Sequence, residues 1–151
     1  MALWYRIVQE RWAAMAMAGE GARLHGGRWN PPGLAAVYLA ESRALAALEI
    51  LVHVPREALR LEWRVIAVEV PDEAIKIATA KQLPAGWQDQ PSSSGARRFG
   101  AAWLAKEGEL GLVLPGVIAP QERTLLLNPR YPAAARLKGS KAERFVFDPR
   151  F

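Results

Sequence analysis

The stretch HGGRWNPPG, residues 25–33, places one arginine between a pair of glycines and a pair of prolines. The glycines let the main chain pass close to a bulky group, and the prolines fix the direction in which the chain leaves the loop. Such a loop holds its guanidinium in place. Because a guanidinium is planar and carries five N–H donors, Arg28 suits the recognition of phosphate or carboxylate. The alternative is a structural turn in which Arg28 binds Glu49.

Trp29, beside this arginine, has two interpretations. Its ring could pack against the ring of a ligand, or it could anchor the loop in the core. The loop is not a P-loop, because HGGRWN lacks the GK[ST] ending, and its glycines do not have the Rossmann spacing after a clear strand.

Glu49 lies in the apolar segment RALAALEILVH, residues 43–53. Helical spacing puts Leu45, Leu48, Glu49 and Val52 on one stripe, so we expect the carboxylate to point inward. An isolated buried carboxylate is costly, and it should therefore be paired, protonated, or at a cleft that opens to a ligand. Two structural alternatives stand beside a catalytic role: a buried ion pair with an arginine, and a surface link to His53.

Tyr38 follows Arg28 by ten residues and precedes Glu49 by eleven. A lone strand tyrosine usually serves packing, with its hydroxyl bonded at the edge. The three residues together offer a cation for phosphate, a flat ring for stacking, and a carboxylate. That carboxylate could stabilise an oxocarbenium-like ribose while a leaving group departs.

The elements that must position these residues follow from periodicity and from turn signals. The patterns predict an α+β domain with strands separated by turns and with two or three helices, rather than a regular βαβ repeat. Ser42 should cap a helix that Pro55 ends, and a second helix should place Phe99, Ala102 and Trp103 on one face. The predicted strands are residues 4–8, 34–40, 63–70, 111–118, 123–127 and 144–147, and the second helix is residues 96–106.

Composition narrows the class of protein. The chain has 151 residues, about the length of one domain; 51% are hydrophobic and 23% charged, as in ordinary globular proteins. We expect no membrane span, no secretory signal and hence a cytoplasmic protein. With no cysteine and two histidines, we also expect no metal site. The net charge of +5 is spread along the chain, so a stand-alone nucleic-acid binder is the least favoured function.

At this point the sequence resembles a known family, the RES-domain toxins of bacterial RES–Xre toxin–antitoxin pairs. The resemblance spans nearly the whole chain, which implies one RES domain over residues 1–151. It is carried by WYRIV, GEGARLHGGRWNPPG, AVYLAESRALAALEILVH, LPAGW, LPGVIAPQERTLLLNPRYP and FVFDPRF. The family is similar in fold to ADP-ribosyltransferase toxins, which implies mixed and antiparallel strands in a split sheet with flanking helices.

The resemblance also implies a reaction. The family consumes NAD, either by splitting the nicotinamide bond with water or phosphate or by transferring ADP-ribose to a protein. It implies that Arg28 contacts the NAD phosphates or ribose, in one binding loop with Trp29 and Asn30, and that Tyr38 stacks near the nicotinamide. Glu49 would orient the ribose hydroxyl and stabilise the developing positive charge, with no metal involved. The implied partner is an Xre-type helix-turn-helix antitoxin, which would supply most of any DNA contact.

Two positions depart from the family pattern. A serine of the family, grouped with the NAD-binding residues, is Gly116 here, after Pro115; an expected asparagine is Thr124. Loss of one hydroxyl bond in an enclosed site would cost about 1 to 3 kcal/mol, or roughly ten- to a hundredfold in rate. Three explanations stay open: water or Thr124 compensates, the chain is an attenuated member that serves mainly to hold its antitoxin, or glycine was selected or introduced because the active toxin prevents its own expression.

Overall fold

The structure, a computed structural model, describes residues 1–106 and 108–151. Seven strands form one mixed sheet in the order β4-β5-β6-β2-β1-β3-β7, in which β4 and β5 are parallel and all other neighbours antiparallel. The strands are β1 (Ala2–Gln9), β2 (Val37–Ala40), β3 (Trp63–Val70), β4 (Ile75–Ile77), β5 (Gly111–Pro115), β6 (Arg123–Leu127) and β7 (Glu143–Phe145).

The α-helices of the described residues are α1 (Glu20–His25), α2 (Arg43–His53) and α3 (Ser94–Ala105). Short 3-10 turns connect several elements: Glu10–Met15, Arg56–Arg60, Asp72–Ala74, Ala80–Gln82 and Pro132–Arg136. Ser42 caps α2 as the sequence predicts, since its Oγ accepts a bond from the Leu45 N–H at 3.0 Å. No helix in the described part of the chain is long and apolar enough to cross a membrane.

The pairing between the two central strands, β1 and β2, is very short. β1 and β2 share a single pair, Tyr5 with Ala40, whereas β1 pairs with β3 along eight positions. The sheet therefore has two halves, β4-β5-β6-β2 and β1-β3-β7, joined where β2 meets β1. The α+β class predicted from the sequence patterns is confirmed, and so is the split sheet that the family resemblance implies.

The two main helices cover the same face of this sheet, one on each half. α3 packs over β5 and β6 through Ala96 and Leu104, and α2 packs over β1 and β3 through Leu45 and Ala46. Tyr38 belongs to the first of these clusters and Ala40 to the second. The boundary between the two clusters thus crosses β2 between Tyr38 and Ala40.

Several predicted boundaries are wrong, and each has a local cause. The strand predicted from residue 34 begins at Val37, because Asn30 Nδ2 donates a hydrogen bond to the Leu34 carbonyl oxygen at 2.9 Å. The strand predicted to residue 118 ends at Pro115, where the Gly116 N–H donates to the Glu122 carbonyl at 2.8 Å and closes a turn.

Two further predictions need correction. The last strand covers Glu143–Phe145, and Phe147 leaves the sheet to pack its edge against Trp63 with a centroid separation of 5.6 Å. The buried face of α3 is formed by Ala96, Gly100 and Leu104, while Ala102 is exposed. Neither α1 nor β4 was predicted, because each is too short to show a periodicity.

Candidate functional site

The loop that carries Arg28 is fixed from below by β2. The Tyr38 hydroxyl accepts a bond from the Trp29 main-chain N–H at 3.1 Å and donates to Asn30 Oδ1 at 2.6 Å. Burial raises the pKa of this phenol well above its usual value, so the hydroxyl stays protonated and keeps donating. Tyr38 thus holds the two residues that follow Arg28.

Asn30 completes this support. It is fully buried (0% exposed), and its Nδ2 lies within 3.1 Å of the carbonyl oxygens of Ala22, Pro31 and Leu34. The side chain therefore closes the loop on itself and on α1. Because a buried amide without partners is costly, these bonds make the loop conformation specific.

Trp29 is also in the core, with 2% of its surface exposed. Its ring contacts Phe99 edge to face at 5.8 Å and lies nearly parallel to Trp87 at 6.3 Å. Of the two interpretations of Trp29, this arrangement corresponds to the anchor. In this conformation Trp29 and Asn30 support the loop, and Arg28 is the partly exposed functional group between them and the solvent-facing start of the loop.

Arg28 is partly exposed and is held by main-chain oxygens. Its Nη1 donates to the carbonyls of Trp87 at 2.9 Å and Asp89 at 2.8 Å. Within the described residues it makes no ion pair and its other N–H groups find no acceptor, so the alternative in which it binds Glu49 is not formed. The guanidinium is oriented without being neutralised.

Glu49 lies at the margin of the packed face of α2, and the buried stripe predicted for this helix is wrong. Leu45 is buried as expected, but Leu48 is 38% and Val52 61% exposed. The helix instead packs through Ala46, Ile50 and Val54, one turn apart, because the cluster of Ile7 and Trp63 lies on that side. Glu49 is consequently half-buried beside an exposed face rather than enclosed in the core.

The two structural alternatives for this carboxylate are also not realised. Glu49 makes no ion pair with any described arginine, and the His53 ring bonds to its main-chain oxygen at 2.8 Å, not to its carboxylate. Burial raises the pKa of Glu49, while the charges of His53 and Arg28 act in the opposite direction. A half-buried, unpaired carboxylate with a raised pKa is typical of a functional site.

Arg28 and Glu49 each affect the pKa of the other. Partial burial lowers the pKa of Arg28, and the negative charges of Glu49 and Asp89 counteract that effect. Arg28 and Glu49 form no ion pair, so each keeps its charge available to a ligand. Opposite charges that do not neutralise each other suit a ligand that carries both an anionic group and a developing cation.

Arg6 is a residue that the sequence analysis did not single out. Its Nη1 donates to the Tyr38 carbonyl at 3.0 Å, its Nε is buried without a hydrogen-bond partner, and burial lowers its pKa. The guanidinium bridges β1 and β2 beyond their single pair and adds positive charge beside Tyr38. A signal was present, because Arg6 lies on the same face of β1 as the buried Trp4 and Val8, two residues from each.

Gly116 lies in the turn between β5 and β6. A Cβ at this position would lie 3.0 Å from the Ala119 carbonyl oxygen and 3.2 Å from that of Glu122. A serine would therefore require the turn to yield by a few tenths of an ångström. The Thr124 hydroxyl donates to the Leu114 carbonyl at 3.4 Å, so it is engaged by the neighbouring strand.

Two cavities of the structure lie elsewhere. One of about 260 Å³ is bordered by Met1, Leu110 and Arg136, and one of about 180 Å³ by Leu59, Trp63 and Phe145. Neither includes Arg28, Tyr38 or Glu49. Among residues 1–106 and 108–151, no cluster of three or more histidine or acidic side chains could bind a metal ion.

Comparison with known proteins assigns the chain to a family. The sequence pattern of the RES domain matches residues 3–148. The Prs ADP-ribosylating toxin of Sphingobium sp. (strain YBL2) is 41% identical over 137 residues, which are 89% of this chain and 85% of that protein. Toxin Res of Yersinia enterocolitica is 39% identical over 147 residues, 97% of each chain.

A solved structure agrees with these relatives. The crystal structure of the MbcT–MbcA toxin–antitoxin complex of M. tuberculosis contains a chain that matches with a TM-score of 0.75 and 25% identity, covering 96% of this chain and 84% of that one. MbcT of Mycobacterium tuberculosis, described as an NAD(+) phosphorylase, is 36% identical over 74 residues, 44% of this chain and 40% of that protein. The protein described here belongs to the RES domain family.

Proposed function

We propose that this chain is the toxin of a toxin–antitoxin pair and that it cleaves NAD at the bond between nicotinamide and ribose. The observation that carries the proposal is the guanidinium of Arg28, which main-chain oxygens orient but do not neutralise, together with the unpaired carboxylate of Glu49, with which it interacts electrostatically. The relatives described as an NAD(+) phosphorylase and as an ADP-ribosylating toxin support NAD as the substrate.

Each residue has a role in this proposal. Arg28 binds the diphosphate of NAD, since its remaining N–H groups suit phosphate oxygens. Arg6 adds positive potential beside it. Tyr38 holds the loop through its hydroxyl and offers its ring near the nicotinamide, with Trp29 and Asn30 supporting the same loop from the core.

Glu49 acts on the reacting sugar. When the C–N bond breaks, its electron pair leaves with the nicotinamide nitrogen and positive charge develops on the ribose. An ionised carboxylate that accepts the ribose hydroxyl bond stabilises that charge. An oxygen of water or phosphate then bonds to the sugar carbon; with water, the proton is released. No step requires a metal.

An assay on the purified chain tests the proposal. Incubation with NAD, with and without phosphate, followed by chromatography, should show nicotinamide release, with ADP-ribose or its phosphorylated form as the second product. Glu49→Gln should lower the rate by roughly 10²- to 10³-fold, because the neutral amide cannot stabilise the cation. If Glu49→Gln consumes NAD at the rate of the parent chain, the assigned mechanism is wrong.

The same assay addresses Gly116. If the missing hydroxyl weakens the site, Gly116→Ser should raise the rate by roughly tenfold or more. Gly108→Ser is a matched control, since a Cβ there meets nothing within 4 Å. No NAD loss from the parent chain together with activity in Gly116→Ser would favour the second candidate, a catalytically weakened chain whose main role is to hold its antitoxin.

The acceptor has a second candidate as well. The relative described as an ADP-ribosylating toxin, 41% identical, favours transfer of ADP-ribose to a protein. Labelled NAD incubated with the chain and a cell extract would reveal such transfer as labelled protein, whereas hydrolysis or phosphorolysis leaves the label in small molecules.

The partner is proposed in two steps. The structural neighbour was crystallised with an antitoxin, which supports an antitoxin protein as the partner of this chain. That this antitoxin is of the Xre type, with a helix-turn-helix part that binds DNA, rests on the resemblance of the sequence alone. Because NAD is a metabolite of the cytoplasm, the proposal also locates the toxin there.

A further inference from the structure

The segment Leu83–Asp89, which we name the strap, provides the acceptors that orient Arg28. These acceptors come from residues 59 and 61 positions away in the sequence. Both are main-chain carbonyls, which carry no net charge. A carboxylate in their place would compete with an anionic ligand for the same guanidinium, whereas a carbonyl orients the group and leaves its charge available.

A tight turn aims both carbonyls at the arginine. Gly86 has φ +76°, and the Asp89 N–H donates to the Gly86 carbonyl at 3.0 Å. Glycine is suited to this left-handed backbone, and a Cβ there would also lie 2.6 Å from the Asp89 carboxylate. The turn therefore fixes the relative positions of the Trp87 and Asp89 carbonyls.

The ring of Trp87 connects the strap to the arginine loop a second time. It stacks on Trp29, the residue next to Arg28, with an angle of 24° between the rings. Trp29 is in turn held by Phe99 and by the bond from its N–H to Tyr38. The main chain and the side chain of Trp87 thus fix the same short loop from two directions.

We propose that Trp87 is a positioning residue: its stacked ring anchors the strap so that two neutral carbonyls occupy Arg28 Nη1 and direct the Nε and Nη2 hydrogens toward the diphosphate of the substrate. The inference rests on the proposed function for the identity of that anion. The orientation of the guanidinium, however, can be measured without any substrate.

Arginine side-chain NMR tests the orientation directly. In the parent chain the two bonds at 2.9 and 2.8 Å should slow rotation about the Cζ–Nη1 bond, so Arg28 should give separate Nη signals. Trp87→Ala should merge them, and Trp87→Phe, which keeps a stacked ring, should preserve them. Trp12→Ala is the control, because Trp12 is exposed and packs against Arg11 rather than the site. If Trp87→Ala does not fold, Trp87→Leu replaces it.

Kinetics with NAD provides the second readout. Because phosphate binding by Arg28 contributes to the ground state and the transition state alike, Trp87→Ala should raise KM about tenfold or more and change kcat little. In an Arg28→Ala background the same substitution should have no further effect on KM. If the parent chain does not consume NAD and its Arg28 Nη signals are merged, both proposals are wrong. If it does not consume NAD but its Nη signals are separate, only the proposed function is wrong. Separate Nη signals in folded Trp87→Ala, or an additive effect on KM, would overturn the role of Trp87.

Discussion

Tyr38 combines a role implied by family resemblance with one that only its contacts reveal. The resemblance implies a ring that stacks near the nicotinamide. The structure adds a hydroxyl whose acceptor and donor capacities are both used by the arginine loop. The ring and the hydroxyl can be separated by experiment, because phenylalanine keeps the ring and removes the hydroxyl.

For Tyr38→Phe we expect loss of both stability and activity. The substitution leaves the Trp29 N–H and the Asn30 oxygen without their partner, and each unsatisfied buried group costs about 1–3 kcal/mol. The free energy of unfolding, measured in urea, should fall by roughly 2–4 kcal/mol, and kcat/KM for NAD should fall at least tenfold as the loop loses its position.

Tyr5→Phe is the control for that experiment. The Tyr5 ring lies under the Arg43 guanidinium at 4.4 Å, and its hydroxyl makes no hydrogen bond within the described residues. This variant should keep the parent's stability and activity. Full activity of Tyr38→Phe would show that the ring alone is needed and that the hydroxyl does not position the loop.

At the scale of elements, the sequence predicted which elements exist better than which way they face. The Ser42 cap and Pro55 predicted α2, but the presence of Leu48 and Val52 led to the wrong buried stripe. Apolar residues lie on more than one side of this helix, and only the position of the Trp63 cluster decides which side packs. The partners of Arg28 were equally hidden, since main-chain carbonyls leave no trace in residue type.

A glycine inside α3 is explained by this element-level packing. A Cβ on Gly100 would lie 1.7 Å from the Trp29 carbonyl oxygen. The main chain of the helix is therefore in direct contact with the main chain of the arginine loop. Gly100→Ala should force them apart, lower the free energy of unfolding by roughly 1–3 kcal/mol or more, and raise KM for NAD through the displaced loop.

The contrasting variant is Gly21→Ala in α1. A Cβ there meets nothing within 4 Å, and alanine is the better helix former, so stability should rise by roughly 0.5–1 kcal/mol. Thermal unfolding of both variants beside the parent chain checks the pair. Equal effects at the two glycines would contradict the close approach of α3 to the loop.

At the scale of the whole molecule, the site lies on the line where the two halves of the sheet meet. β2 contributes Tyr38 from one half, and α2 contributes Glu49 over the other. The strands at the junction, β1 and β2, share one residue pair. A split of this kind leaves carbonyls that the sheet does not use, and Arg6 binds one of them. The fold therefore places the proposed binding residues at the same junction as a main-chain carbonyl that a side chain, not the sheet, satisfies.

Glu49 should make the whole protein less stable as the pH rises. Burial raises its pKa in the folded chain above the value of an unfolded glutamate, about 4.3, so the folded state keeps its proton to higher pH. Between the two pKa values the unfolded state binds fewer protons, and the free energy of unfolding falls with increasing pH. Glu49→Gln removes this loss and should melt at a higher temperature than the parent chain at pH 7, with the difference shrinking toward pH 4.

Glu41→Gln is the control, because Glu41 is a carboxylate that has hydrogen-bond partners. Glu41 accepts bonds from the Arg123 N–H at 2.7 Å and from its Nε at 3.0 Å, so its removal should lower the melting temperature at pH 7 or leave it unchanged. A carboxylate kept where it costs stability is expected of a group retained for chemistry. If Glu49→Gln melts below the parent chain at pH 7, the carboxylate is satisfied in the folded protein, and its proposed role as an unpaired group at the ribose is wrong.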